Sequence, residues 1–595
     1  MDTKRKTRAK EYYNLNEMQK ELYEKSKNGC KNFKNLYEKI ISEENILSAY
    51  RILKSNKGGK TAGVDGKTIK TLADMEQEKL IKLIINRLNN YKPNTVRRVF
   101  IPKDNGDKRP LGIPTIEDRI IQQMFVNVLE PICEGKFYKE SYGFRPMRST
   151  RHAIAKVQTF ININKLHYTV DIDIKGFFDN VNHSRLMKQI WNIGIKDKRI
   201  LAIIGKMLKA PIKGEGIPSK GVPQGGVLSP LLSNIVLNDL DHWVSNQWDT
   251  FETEYKYSGN DGKVRSLRNK TKLKEGYIVR YADDFRIMAR DYKTAVKWFH
   301  AVKEYLKQRL KLDISETKSK IINLRKQSSE FLGFKIKTKI NKKKFVAITY
   351  IADNKKERII TSLRELLKLI QKNPTAENAR KYNSVVLGTH QYFKYATHVS
   401  NSFAEIEHRL LKTQNNRLKL VGKYEYPKLE KTATYRKFYN ITRKTYKIGG
   451  HHLFPLSNIK TQTNLNYSQS KNPYEQVKKF KWDSEIVKLM QSRAGNRSAE
   501  YMDNRLSVYS QQKGRCGITK IELNAEVVHC HHKIPINLGG DDKFSNLIVV
   551  HELVHRLIHA TTKETIGKYM NLLSINANQL RKINQLRLLC KLEKI

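Results

Sequence analysis

Cysteine is scarce in this chain. Five thiols (Cys30, Cys133, Cys516, Cys530 and Cys590) are scattered over 595 residues. That is too sparse for a disulfide framework, so the expected surroundings are reducing. Long apolar runs are also missing. No stretch approaches the roughly 18 residues that a membrane-spanning helix needs, and no membrane partner is expected. The opening Met1-Asp2-Thr3-Lys4-Arg5-Lys6 is basic but leads into no apolar segment, so secretion is not expected. Acidic residues are the third shortage. There are 58 of them against 113 lysines and arginines, a formal net charge of +55. The excess runs along most of the chain, which is the electrostatic footprint of a nucleic-acid binder. The length suggests roughly three to five domains.

Against that basic background, the acidic residues that are present stand out. Tyr277-Ile278-Val279-Arg280-Tyr281-Ala282-Asp283-Asp284-Phe285-Arg286-Ile287 places two adjacent carboxylates between short apolar runs. Gly276 before it and Arg290-Asp291 after it make this strand, tight turn, strand. The acidic tip is either a solvated turn or a pair neutralised by a cation such as a divalent metal. Tyr168-Thr169-Val170-Asp171-Ile172-Asp173-Ile174 alternates, and strand period puts Asp171 and Asp173 on one face. Asp171 reads as a support for Asp173 or as solvated. The residues 97–103 run into the turn Asp104-Asn105-Gly106-Asp107 and return over 108–114. That hairpin would bring Lys103 close to Arg109, either as surface cations or as a clamp for a triphosphate.

The remainder is coarser. Residues 57–66 form a Gly-rich loop, a plain connection or a phosphate cradle, and 72–90 read as helix. A Gly/Pro-rich loop over 221–230 leads into an apolar helix from 231. Residues 352–420 read as three helices, with Ile359, Leu363, Leu366, Leu367 and Ile370 on one stripe. Residues 421–505 are basic with weak periodicity.

The blocks occur in a telling order. They are Ile101-Pro102-Lys103 with Arg109-Pro110-Leu111-Gly112-Ile113-Pro114, Tyr142-Gly143-Phe144-Arg145-Pro146, Asp173-Ile174-Lys175-Gly176-Phe177-Phe178-Asp179 and Pro223-Gln224-Gly225-Gly226-Val227-Leu228-Ser229-Pro230. Tyr281-Ala282-Asp283-Asp284, Leu312-Asp313-Ile314-Ser315-Glu316-Thr317-Lys318 and Phe331-Leu332-Gly333-Phe334 follow. Over about 95–335 this resembles a group II intron-encoded reverse transcriptase-maturase. The resemblance implies a multidomain α+β protein, with right-hand polymerase fingers and palm and an α-helical thumb (maturase) domain. It implies that Asp173, Asp283 and Asp284 hold two Mg²⁺ and that Lys318 donates a proton to pyrophosphate. Lys103, Arg109 and Gln224 would bind the dNTP, and Phe178 would exclude a ribose 2′-hydroxyl.

Six of the 16 histidines fall between 529 and 559. The block Val527-Val528-His529-Cys530-His531-His532, then Asn546, then His551, His555 and His559, resembles an HNH endonuclease, which implies a small ββα-metal HNH domain. The resemblance makes His532 the general base, and His531 and His555 ligands of one divalent metal. His559 would be a third ligand or a DNA contact, with Asn546 bracing the loop. His551, His555 and His559 recur at four-residue steps, on one face of a helix. HNH domains often carry two Cys-x-x-Cys pairs for a structural zinc. Here Thr519 stands three residues after Cys516, and His551 and Val554 replace the second pair, so only Cys516 and His551 are in place, with Cys530 a possible outsider, and no structural zinc is expected.

The implied segments are 1–95 (basic helical extension), 96–345 (fingers and palm), 346–465 (thumb/maturase), 466–505 (DNA-binding), 506–562 (HNH) and 563–595 (helical tail). The implied partners are intron RNA, double-stranded target DNA and dNTPs, in a ribonucleoprotein of the bacterial cytoplasm and nucleoid, or of an organelle. The rival is an RNA-binding splicing cofactor with inactive polymerase and nuclease.

Overall fold

The computed structural model describes residues 13–102, 108–427, 433–439, 443–475, 483–492 and 495–595. Helices and strands are mixed throughout, in two compact units. The first comprises Met1–Phe137, Gly176–Val236 and Ser470–Ile595; the second comprises Tyr138–Lys175 and Leu237–Gln469. Packing therefore groups stretches that are distant in sequence.

In the first unit, the helix Ile116–Glu134 is a core element. Thr115 caps it by accepting from the Asp118 N–H, and Ile120, Ile121, Met124, Phe125 and Val128 are fully buried. The strands Arg97–Pro102 and Lys108–Ile113 pair antiparallel, with Ile101 opposite Arg109 and Pro102 opposite Lys108. The Gly-rich loop begins as a short 3₁₀ turn, Lys57–Lys60, and Arg119 donates to the Gly58 and Thr61 carbonyls at 2.6 Å each. A protein cation thus occupies those carbonyls. The helix expected over 72–90 is two helices, Ile69–Ala73 and Gln77–Asn89.

The C-terminal part of this unit is tied to its N-terminal helices by one carboxylate. Asp503, on the helix Ala499–Gln511, is 5% exposed. It pairs with Arg51 at 2.6 Å and Lys54 at 3.1 Å, and accepts from the Tyr13 hydroxyl at 3.0 Å. Burial alone would raise its pKa, but the two cations win and hold it below the usual range.

The second unit is built on a four-stranded antiparallel sheet. Its spatial order is Tyr277–Tyr281, Asp284–Ala289, Tyr168–Ile172, Lys320–Asn323. A three-stranded sheet follows (Ser329–Phe331, Phe334–Asn341, Lys344–Ile351), then the helices Asp353–Lys372, Ala376–Phe393 and Val399–Leu418. Ile359, Leu363, Leu367 and Ile370 are buried as the periodicity predicts, and Leu366 packs at the edge. Phe393 is core at 6% exposure, whereas Tyr392 is 41% exposed and donates to the Leu332 carbonyl. The stretch after 421 is better packed than its weak periodicity suggests. Lys423–Glu425, Thr445–Ile448 and His451–His452 form a small sheet, and Tyr435, Tyr446 and Leu453 join the unit's hydrophobic core. Scattered tyrosines, which carry no helical or strand period, supply that burial. Among the described residues, no helix is long and apolar enough to cross a membrane.

His390 should make the second unit acid-sensitive. It is 3% exposed, between the Tyr439 hydroxyl at 3.0 Å and the Leu456 carbonyl at 2.9 Å, and burial pushes its pKa down to about 4. The unfolded chain takes up this proton near pH 6.5, so stability is full above that pH and falls toward pH 4. At pH 5 the loss from this residue should be about 2 kcal/mol. Thermal melts at pH 7.5 and pH 5 should show a smaller gap for His390→Gln than for the unchanged chain.

Candidate functional site

The acidic hairpin turns in two residues, Ala282 and Asp283, between paired Tyr281 and Asp284. Ala282 takes φ 59°, the left-handed region, so the turn must be held. Arg280 holds it. This side chain is 1% exposed; it donates to the two oxygens of buried Asp241 at 2.8 and 2.6 Å and to the Ala282 carbonyl at 2.8 Å. The Tyr142-Gly143 block lies against the same turn. Tyr142 N–H donates to the Arg280 carbonyl at 2.9 Å, and a Cβ at Gly143 would meet the Ala282 nitrogen at 2.2 Å. Only glycine permits that approach.

Asp173 follows the central strand and is exposed. The 312–318 block anchors its backbone: Ser315 N–H donates to the Asp173 carbonyl at 2.7 Å and Lys175 N–H to the Asp313 carbonyl at 2.9 Å. The same loop carries Lys318. Asp171, Asp173, Asp283, Asp284, Arg286 and Lys318 all line one pocket of about 400 Å³. The hard oxygen donors of Asp173, Asp283 and Asp284 suit Mg²⁺. Burial, with Asp171 and Asp283 nearby, pushes the Asp284 carboxyl above its ordinary range against the pull of Arg286.

Asp171 is not solvated. It is 5% exposed, accepts from Thr169 and Ser329 hydroxyls at 2.7 Å each, and forms an ion pair with Arg286 at 2.9 Å. Sequence reading missed the roles of Arg280, Asp241 and Arg286. Both arginines lie inside residues 277–287, and cations on strands flanking an acidic turn are the available signal.

The nucleotide-binding candidates belong to the first unit. Gly112 N–H donates to the Gln224 carbonyl at 2.6 Å, and Val222 N–H to the Phe178 carbonyl at 2.6 Å. The Gln224 loop is thereby fixed to the strand bearing Arg109 and to the Phe178 turn. Arg109 is exposed, and the Phe178 ring packs edge-on to Phe177 at 5.3 Å. Lys103 lies outside the described residues, and with it the expected approach to Arg109.

A second cluster forms elsewhere in the first unit, on the paired strands Val528–His532 and Leu547–His551 and the helix Glu552–His559. His531, His555 and His559 bring ring nitrogens within 4.8 Å of one another. His531 Nε2 is buried without a hydrogen-bond partner, as expected of a nitrogen that awaits an ion. Burial and the adjacent imidazoles push the His531 and His555 pKa values down to about 3, so both are neutral donors near pH 7. These residues fit a divalent metal. His529 stacks on His555 at 3.6 Å.

His532 is not one of the clustered rings. Its Nε2 lies 2.7 Å from Asp542 Oδ1, and its ring stacks on Tyr501 at 5.1 Å. Asp542 and Tyr501 were missed; the Gly539-Gly540-Asp541-Asp542 turn was the visible hint. Asn546 spans the loop between the strands, accepting from Ile534 N–H at 2.9 Å and donating to the Ile534 and Asp541 carbonyls. His551 does not share the helical face of His555. It caps the helix, its Nδ1 accepting from Leu553 N–H at 3.1 Å, because the chain turns helical only at Glu552. Cys516 Sγ accepts from the His551 N–H at 3.4 Å.

A family model for reverse transcriptase (RNA-dependent DNA polymerase) matches residues 101–336. Protein YkfC of Escherichia coli is 36% identical over 300 residues, 47% of this chain and 77% of that protein. Group II intron-encoded protein LtrA of Lactococcus lactis subsp. cremoris is 34% identical over 361 residues, 53% of this chain and 59% of its own length. Maturase-like protein 1 of Euglena gracilis is 29% identical over 220 residues, covering 35% of this chain and 46% of that protein.

The histidine cluster makes its own prediction. Ni²⁺ prefers imidazole to carboxylate, so titrating the full chain with it should raise the melting temperature. At a hundredfold excess over the dissociation constant the gain should be about 2.7 kcal/mol. His531→Ala and His555→Ala should each remove it, and a gain that survives both would rule out the cluster.

Proposed function

The chain belongs to the group II intron reverse transcriptase-maturase family, and from that premise we propose that it copies intron RNA into DNA at the acidic pocket of its second unit. One observation carries the reading: Asp173, Asp283, Asp284 and Lys318, from three separate sequence blocks, line a single pocket. Two Mg²⁺ bound there would activate a primer 3′-hydroxyl and stabilise the leaving pyrophosphate. Asp173 and Asp283 would hold that pair, with Asp284 as the third carboxylate. Lys318 supplies a proton to the pyrophosphate. Lys103 and Arg109 grip the triphosphate, Gln224 contacts the incoming nucleotide, and Phe178, five residues after Asp173, turns away a 2′-hydroxyl. The charge of +55 supports binding of the intron RNA, which the maturase-like helical region would hold during splicing.

The histidine cluster favours a second activity, nicking of double-stranded target DNA by an HNH-type nuclease. A divalent metal held by His531, His555 and His559 would polarise the scissile phosphate. His532 takes the proton of the attacking water, while Asn546 keeps the loop in shape. The nick supplies the 3′ end from which the polymerase copies, and the two activities together support intron mobility.

Primer extension on an RNA template tests the first reading. Asp283→Asn should abolish it while intron RNA binding stays within a few-fold; undiminished extension would sink the assignment. Nicking of a DNA target tests the second. His532→Ala should stop the nick yet leave extension of a supplied primer intact. A pre-nicked target should then rescue integration by His532→Ala but not by Asp283→Asn.

A further inference from the structure

Arg286 stands at the centre of the acidic pocket and is 8% exposed. It sits on the strand Asp284–Ala289, directly opposite Asp171 on the central strand. Three contacts aim its guanidinium. Nε lies 2.9 Å from Asp171 Oδ1, Nη1 donates to Asp284 Oδ1 at 2.9 Å, and Nη2 donates to the Glu330 carbonyl. The ring of Phe331 lies beneath, 4.9 Å from the guanidinium carbon. Asp171 is itself fixed by Thr169 and Ser329. A planar, always-charged fork is the group suited to bridging two carboxylates in this way.

The geometry points to a positioning role: we propose that the Asp171–Arg286 pair fixes the Asp284 carboxylate by one oxygen, Oδ1, and so presents the other to a metal ion in the pocket. The proposal rests on the polymerase reading of that pocket. Asp284 is two residues from Arg286 along one strand, so their side chains leave the sheet on the same face. Without the fork, Asp284 would be a rotatable carboxylate beside Asp283, repelled by it and drawn to solvent. With Asp171 opposite, the fork adds no net charge: one buried cation is matched by one buried anion. Orientation is therefore separable from charge. An arginine without its Asp171 would repel an incoming cation; the pair does not.

That separation sets the experiment. Asp171→Asn with Arg286→Met removes one negative and one positive charge and leaves Asp173, Asp283 and Asp284 untouched. The full-length double variant and the unchanged chain are titrated with Mg²⁺ in primer extension. Both are also titrated with Tb³⁺, read by bound-ion luminescence and by its displacement with Mg²⁺. The expected result is a half-saturating Mg²⁺ concentration raised about 10–100-fold, the range for losing a partner that orients a metal ligand, with weaker Tb³⁺ binding to match. The rate at saturating Mg²⁺ should fall much less. Arg286→Lys keeps the cation without the two-sided reach, should shift in the same direction, and decides alone should the double variant not fold. A folded variant with unchanged Mg²⁺ and Tb³⁺ titrations overturns the proposal. So does a loss of rate that is equal at every Mg²⁺ concentration, which is what general loosening gives. Failure of the polymerase reading would show separately, as undiminished extension by Asp283→Asn.

Discussion

Carboxylates gathered at one point repel one another, and the second unit answers with two buried arginines on the acidic hairpin. Arg280 takes Asp241 and the turn carbonyl; Arg286 takes Asp171 and Asp284. Desolvating such pairs is expensive, so they add little net stability. What they contribute is a fixed shape. The turn can keep the unfavourable φ at Ala282 because Arg280 and the close backbone of Gly143 leave it no alternative. The loop that brings in Lys318 is anchored separately, through the Asp173 carbonyl and the Lys175 N–H.

The same constraint explains what the sequence discloses. The carboxylates Asp173 and Asp283 were legible because each sits in a short block whose neighbours in sequence are also its neighbours in space. The supports were not. From sequence Asp171 reads as a support or as solvated, and only the cross-strand pairing with Arg286 shows that it is buried. Asp241 lies 39 residues from Arg280, on a helix whose apolar pattern gave no sign of a buried charge. Gly143 was visible as part of a block, but the need for glycine there appears only when the turn at Ala282 is laid beside it. Helices with a clean stripe, such as Asp353–Lys372, were readable from periodicity. The small sheet after 421 was not, since its core is tyrosine without a period.

Long-range pairing hides more in the first unit. Asp503 meets Tyr13 across 490 residues and Arg51 across 452. Nothing local marks it, because a single acid on a helix is ordinarily a solvated one. A like case is His532, which the histidine pattern exposed, and whose partner Asp542 it did not. The hydrogen bond between them spans ten residues of loop, and Ser498 donates to the other Asp542 oxygen from 44 residues upstream. Patterns of residue type find the groups that do chemistry; they do not find what holds those groups.

The two clusters also show why one needs a cation and the other does not. Burial favours the neutral form of any titratable group. For His531 and His555 the neutral form is the ligand form, and burial among other imidazoles carries them to about 3. Desolvation therefore prepares that site unaided. For Asp284 the neutral form is the wrong one, and burial pushes the carboxyl upward. Something must pull it back, and Arg286 is the group in contact with it. The Asp284 side chain is still 42% exposed, so contact with a resident cation rather than burial holds this oxygen site, whereas the buried nitrogen site requires only that its rings be brought together. The arginine at 286 follows from the chemistry of the donors rather than from the architecture of the sheet.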